Sequence, residues 1–423
     1  MRRSLGLFDV TCIGLNAIVG SGIFVLPDDL YREMGGLSPL AFVLCALGLL
    51  PVALCYSEAA STVDRTGGPY IYAGEAFGPR VGFAVGWMCF ANSIFSFAAV
   101  SSAAAAYVGR LVPALAPALA MKTVALVVIA TFALINYRGA RPGALAIDMF
   151  TVGKFAVLLI LVSALVPHVS FARFETPLPH GMAGVGAATF MAVFAAQGFE
   201  VAPVTAGETH APERKVPIAV LSSMLAASAL YVAVQATLVG AYGRLHEVSD
   251  TPLADAALSV VPALGLVVTI GGLVSTLGFV SGSALGTPRY LFAAAEDGHL
   301  PSALAAVHAR FESPHKAVVA TALLAMALAI PFDYRSLIGM SNVAVAVQYL
   351  GTCLAVLKLR SRPHTKGFRI PLGPVVPLLG AAVSVWVFTQ ASQKELGWAT
   401  ASLAVGLLTV AVNRRMRGAP RAS

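Results

Sequence analysis

Apolar stretches close to the length of a bilayer-crossing helix recur along almost the whole chain, and this repetition decides what it can fold into. A helix needs roughly 20 apolar residues to cross the hydrocarbon core. The 423 residues divide into about twelve such stretches: 9–33, 39–62, 82–111, 119–137, 147–167, 184–207, 217–242, 261–285, 316–331, 336–357, 374–391 and 396–413. The ninth is short, so it extends into its flanks or tilts less. Hydrophobic residues make up 58% of the chain and charged residues 11%, against about a quarter charged in soluble domains. No stretch alternates with the period of a membrane barrel strand. The expected fold class is all-α integral membrane, with about 12 transmembrane helices.

The first span is too long for a cleaved signal, and no small-residue cleavage site follows Arg2 and Arg3, so it is expected to stay in the protein. The net charge of +8 distributes as membrane topology. With the N-terminus inside and the spans alternating, 20 of the 28 Lys and Arg fall inside and seven outside, leaving Lys154 within span 5. Both termini are then cytoplasmic, in a multi-pass protein of a bacterial inner (plasma) membrane, with the lipid bilayer as its surroundings. No soluble domain carries a basic face, which argues against a nucleic-acid partner.

The five cysteines (Cys12, Cys45, Cys55, Cys89, Cys353) all lie in apolar spans and read as small hydrophobes. The histidines form no metal motif. No metal or other cofactor is expected, and no nucleophile elbow marks an enzyme.

Two spans are interrupted. Span 1 carries Ile18-Val19-Gly20-Ser21-Gly22-Ile23-Phe24. Span 6 carries Gln197-Gly198 and Glu200, with Pro203 following. Each run reads either as a close-packing face of small residues or as a helix opened in the membrane. Opened backbone is tolerated there only where it is buried or lines a cavity. The two interruptions lie five spans apart, so the second block of five enters from the opposite side. Paired interruptions of this kind point to an inverted-repeat transporter. The expected organisation is a ten-helix core over 1–357, with repeats at about 8–167 and 184–357. A cytoplasmic loop, two peripheral helices and a short tail fill 358–423. The loop at 286–315 is expected to hold a short amphipathic helix around Leu291, Phe292 and Ala295.

The residues around these breaks resemble those of amino acid permeases of the amino acid–polyamine–organocation superfamily. The match runs nearly the whole length. It includes Gly14 to Phe24, Tyr56-Ser57-Glu58-Ala59, Thr66-Gly67-Gly68-Pro69-Tyr70-Ile71-Tyr72, and Gln197-Gly198-Phe199-Glu200. It continues through Gly207-Glu208-Thr209, Pro212-Glu213-Arg214-Lys215-Val216-Pro217, Arg289-Tyr290, Glu296 to Pro301, and Phe368 to Pro374. The chain departs at Asp64, where the family often has Pro, and at Ala211, where it often has Asn. The resemblance implies a leucine-transporter-type 5+5 fold with helices 1 and 6 broken.

An opened span 1 presents N–H groups suited to a carboxylate. Gly20, Ser21, Gly22 and Ile23, with Ile18 before them, are the candidate carboxylate binders. Unwound carbonyls near Ala195, Gln197 and Gly198 would face an ammonium. By resemblance, Phe194 is an aromatic that closes over substrate; the alternative is a core Phe. Asn92, Phe95 and Ser283 are further candidate walls, with serine equally able to bond its own helix.

Glu200 is an intramembrane acid, either a gating and proton-sensitive group or a cap on the second half-helix. Lys154 either snorkels to the interface or, by resemblance, fills the place of a sodium ion and carries a proton. Glu58 either pairs with an inner-gate arginine or caps a helix. Gly67, Gly68 and Pro69 read as a tight turn or a break before span 3, with a part in the inner gate as the alternative. The expected function is secondary transport of L-α-amino acids, neutral ones favoured by the absence of a clear acid for a cationic side chain. Proton symport is expected, with exchange lacking net proton coupling as the alternative. A membrane amino-acid sensor is the rival from a different class. The protein is expected to be a monomer or homodimer.

Overall fold

A computed structural model describes residues 6–63, 68–139, 144–361 and 368–418. Asp64, Thr66 and Gly67 lie outside the described residues, as do Arg2 and Arg3. Among the described residues every regular element is helical. Among the described residues, nine helical stretches are long and apolar enough to cross a membrane, and three shorter apolar helices accompany them.

The chain runs through α1 (Leu7–Ile18), α2 (Gly22–Val25), α3 (Pro27–Met34), α4 (Pro39–Thr62), α5 (Pro69–Phe77), α6 (Pro79–Leu111), α7 (Ala118–Tyr137) and α8 (Ala144–Leu165). It continues through α9 (Gly181–Ala196), a 3-10 segment (Phe199–Glu208), α10 (Pro212–Ala241), α11 (Pro252–Val260) and α12 (Pro262–Glu296). The last helices are α13 (His315–Ala329), α14 (Tyr334–Leu359), α15 (Val375–Gln390) and α16 (Gln393–Gly418). Pro27, Pro39, Pro69, Pro79, Pro212, Pro252 and Pro262 each stand at a helix's first turn, where a missing N–H costs no helical bond.

Helices α6 and α14 form the interior. α6 packs along both α12 and α14, and α1 packs on α10 and α8. The apolar window of α6 is 78% buried, whereas those of α7 and α16 are 11% buried. A helix that is apolar all round but half-wrapped by protein faces lipid on its other side.

Two expectations change. The apolar stretch of span 1 ends at Val25 rather than residue 33, because α3 carries Asp28, Asp29, Arg32 and Glu33. Leu291, Phe292 and Ala295 form the last turns of the 35-residue α12, not a separate amphipathic helix. Pro288 sits within that helix, which continues to Glu296.

Candidate functional site

Both interruptions are real breaks, and they meet. Helix α1 ends at Ile18, and α2 begins only at Gly22. Helix α9 ends at Ala196, where Gln197 turns extended and Gly198 takes φ +119°. A Cβ on Gly198 would lie 2.4 Å from the Ala17 carbonyl carbon, and one on Gly22 would lie 2.6 Å from Ala195 Cα. Glycine at each position therefore lets one broken span cross the other backbone to backbone.

A cavity of about 590 Å³ opens from this crossing. Ile18, Gly20, Ser21, Gly22, Asn92, Phe194, Gln197, Gly198, Glu200 and Ser283 all line it. Ile23 and Phe95 are buried beside the cavity without lining it, and Ala195 packs under Gly22. From Asn92 onward the lining residues of α6 are Asn92, Ser93, Ser96 and Val100, and Phe95 falls just off that face. The cavity widens toward Gly286, Arg289 and Tyr70, where the α12 face is exposed. At the other end Ser21 and Phe194 are buried beneath Tyr334, whose hydroxyl is 3.2 Å from Ser21 Oγ and whose ring meets Phe194 edge-on.

The backbone at the first break is selectively satisfied. Tyr231 donates its hydroxyl to the Ile18 carbonyl at 2.9 Å, and Ser275 donates to the Gly20 carbonyl at 3.1 Å. Gly20 N–H turns back to Ile18 O at 2.8 Å. Among the described residues, no backbone carbonyl accepts from the N–H of Ser21, Gly22 or Ile23. Buried N–H groups are rarely left without an acceptor, so these three donors at the start of α2 are the unusual feature of this break.

The second break is closed internally. Glu200 Oε2 accepts the Gly198 N–H at 2.9 Å and the Tyr349 hydroxyl at 3.4 Å. Gln197 joins a buried polar chain across three helices. Its Nε2 donates to Asn342 Oδ1 at 2.7 Å, and its Oε1 lies 3.3 Å from Ser341 Oγ. Ser341 also donates to Asn92 Oδ1 at 2.6 Å and sits 2.9 Å from Ser96 Oγ.

Lys154 lies outside the cavity lining. Only 1% exposed, it does not snorkel; its Nζ donates to Asn16 Oδ1 at 2.9 Å, two residues before the end of α1. Glu58 is remote from the cavity. It pairs with Arg360 through both oxygens, at 2.7 and 2.6 Å, and takes the Ile370 N–H at 2.9 Å. That arrangement ties α4 and α14 to the segment before α15. Gly68 has φ +56° and stands immediately before Pro69 at the start of α5.

Tyr231, Ser275, Tyr334, Ser341 and Asn342 escape the sequence reading. Ser341-Asn342 carries a usable signal, because adjacent polar residues inside an apolar span are costly unless partnered.

The chain is similar to known transporters over most of its length. The chain is 27% identical to the branched-chain amino acid permease BcaP of Bacillus subtilis, over 95% of this chain and 89% of that protein. It is 26% identical to the serine/threonine exchanger SteT of Bacillus subtilis, over 99% and 97%. It is 25% identical to the methylthioribose transporter of the same organism, over 91% and 88%. The family model described as amino acid permease matches residues 5–409, and the chain belongs to that family.

Proposed function

We propose that the protein is a secondary transporter of neutral L-α-amino acids in a bacterial inner membrane. It has twelve spans, a 5+5 inverted-repeat core and both termini in the cytoplasm, and it works by alternating access. The observation that carries this reading is the first break: three N–H groups without a backbone acceptor, at the buried end of a cavity whose opposite end is open. The substrate carboxylate sits on Ser21 and Gly22, and its ammonium reaches the unwound carbonyls near Ala195, Gln197 and Gly198. Its side chain points between α6, α9 and α12. The charged side chains lining the cavity are Glu200, already hydrogen-bonded to Gly198, and Arg289 at the wide end. Neither offers a free carboxylate to a cationic side chain, which supports neutral substrates. The wide end faces the cytoplasm in the charge-based topology, so this is an inward-open state.

Lys154 is the coupling residue of this reading. Its ammonium is buried and bonded to Asn16 at 2.9 Å, so a change in its protonation acts directly on the end of α1. Symport is the primary mode. Exchange without net proton coupling is the second, supported by the likeness to a serine/threonine exchanger.

The test is purified protein in liposomes given a panel of labelled amino acids, with and without an imposed pH gradient. Gradient-driven accumulation of neutral amino acids, lost in Lys154→Ala while counterflow survives, supports symport. Gradient-driven uptake unchanged in Lys154→Ala overturns the role of the lysine. Absence of amino-acid flux in any mode overturns the transport reading.

A further inference from the structure

Charge is buried beyond the closed end of the cavity, where substrate binding uses none. Asp28 and Asp29 follow the second half of span 1 and are 0% and 2% exposed. Asp29 accepts from Arg335 Nε with both oxygens, at 2.8 and 2.9 Å, and also from Arg32. Asp28 Oδ2 accepts the Ser249 N–H at 3.1 Å and lies 3.9 Å from Arg335 Nη2. Its Oδ1 is buried without a partner. Arg335 is in the first turn of α14, immediately after the Tyr334 that covers Ser21 and Phe194. The loop carrying Ser249 leads into α11, which is fastened by Arg110 to Thr251 at 2.9 Å and to Asp255.

We propose that the Tyr334–Arg335 corner is the lid on the closed side of the cavity. Arg335, clasped by Asp29 and Asp28, is the positioning residue that keeps Tyr334 over the substrate, and release of the clasp opens that side. This rests on the alternating-access reading.

Physical chemistry favours charges for such a contact. The Asp29 side chain is 1% exposed and that of Arg335 39%, so closing the pair strips hydration mainly from the acid and parting restores it, which brings the closed and open states close in energy. A bistable element needs that near-balance. An apolar plug of the same area would lose free energy steadily on exposure. Removing one partner while the contact stays closed leaves a buried charge uncompensated, so the closed state is the one penalised. Three elements meet at the clasp: α3 with Asp28, Asp29 and Arg32; the α11 approach with Ser249; and α14 with Arg335.

A thiol placed by Gly282→Cys reports the opening, since a Cβ there meets nothing within 4 Å and Gly282 lines the cavity. The five native cysteines are all buried. A membrane-impermeant maleimide is applied to intact cells and to inside-out vesicles. With the clasp intact, labelling comes from the side of the wide end. Arg335→Gln is expected to raise labelling from the opposite side roughly tenfold or more. Asp29→Asn should do the same, the double variant should add nothing, and Arg335→Lys should restore part of the original sidedness. Tyr334→Phe keeps the clasp but loses the Ser21 contact. It should raise the half-saturation constant for substrate while leaving sidedness unchanged.

Unchanged sidedness in a monodisperse Arg335→Gln protein overturns the proposal, as does additivity of the two charge removals. If Arg335→Gln does not fold, Asp29→Asn, which removes the other partner of the clasp, carries the same test. The labelling needs no substrate, so its failure is separate from a failure of amino-acid transport.

Discussion

The two broken spans open at the same depth and touch each other, yet their exposed backbone is used in opposite ways. At the first break the carbonyls of Ile18 and Gly20 are taken by Tyr231 and Ser275, and the N–H groups of Ser21, Gly22 and Ile23 are left over. At the second the Gly198 N–H is taken by Glu200, an acid two residues along the same segment. One break keeps its donors for something absent from the chain. The other brings its own carboxylate. In the transport reading proposed above, the contrast separates a binding end from a supporting end, although both look alike as glycine-interrupted apolar runs.

The comparison can be broken most severely at its point of contact. Gly198→Ala faces a positive φ and a contact of 2.4 to 2.6 Å with the backbone of Ala17 and Ile18, neither of which can rotate away. A loss of about 4 kcal/mol or more, or no folded protein, is expected in thermal unfolding. Gly22→Ala meets the Ala195 backbone at 2.6 Å without a positive φ, so it should cost less stability. Gly282→Ala, inside α12 with nothing within 4 Å, should hold the unfolding midpoint or raise it slightly, since Ala favours a helix interior over Gly. A Gly198→Ala protein as stable as Gly282→Ala would mean that the two spans do not cross in this way.

The second half of span 1 ends in buried charge, which makes it sensitive to pH. Burial, reinforced by the adjacent Asp29, pushes the Asp28 carboxyl from 3.8 up to about 7. Ser249, Arg335 and Arg32 oppose this shift. The packed state therefore binds the proton more tightly than an opened or unfolded one. Its stability should fall as pH rises from about 4 to about 7 and level off above, by up to about 4 kcal/mol in total. Asp28→Asn should flatten that slope. Unfolding midpoints measured across the window check the sign, and a slope that survives Asp28→Asn places the titrating group elsewhere.

Glu200 tests whether the supporting end is only a support. Glu200→Gln keeps an oxygen for the Gly198 N–H, whereas Glu200→Leu leaves that N–H unpaired at a cost of about 1–3 kcal/mol. A cap alone predicts that Glu200→Gln transports with an unchanged pH profile and that only Glu200→Leu loses stability. A gating carboxylate predicts that Glu200→Gln folds normally but loses the pH dependence of transport.

What the sequence made legible follows from chemistry local to one span. Gly20-Ser21-Gly22 and Gln197-Gly198 stand out because glycine and polar residues punctuate an apolar run, and both prove to be breaks. Lys154 and Glu58 stand out as charges in apolar surroundings, but their partners, Asn16 and Arg360, lie 138 and 302 residues away. The Asn92–Ser341–Gln197–Asn342 chain draws on three spans, and nothing within any one of them indicates the register that aligns them. The helical face of span 3 depends on the same register: Asn92 lines the cavity, and Phe95, three positions on, does not. Asp28 and Asp29 fall inside the stretch drawn as 9–33 and give no sign of a partner, because the Arg335 that pairs with Asp29 lies 306 residues away.

The smallest effect concerns where the supporting end stops. After the 3-10 segment the chain enters α10 through Ala211, at φ +50° and ψ +58°. An L-residue with a Cβ pays about 1 kcal/mol in this left-handed region, and asparagine tolerates it best among non-glycine residues. The resemblance to amino acid permeases puts Asn at this position, and the backbone now supplies the reason. Ala211 is exposed, so a longer polar side chain meets no core. Ala211→Asn should raise stability by about 0.5–1 kcal/mol, visible as a higher unfolding midpoint with transport unchanged. Ala211→Val, β-branched, should lower it. If Asn and Val shift the midpoint alike, the residue is not held left-handed, and the second half of span 6 joins α10 without the strain that sets it apart from the ion-anchored end of span 1.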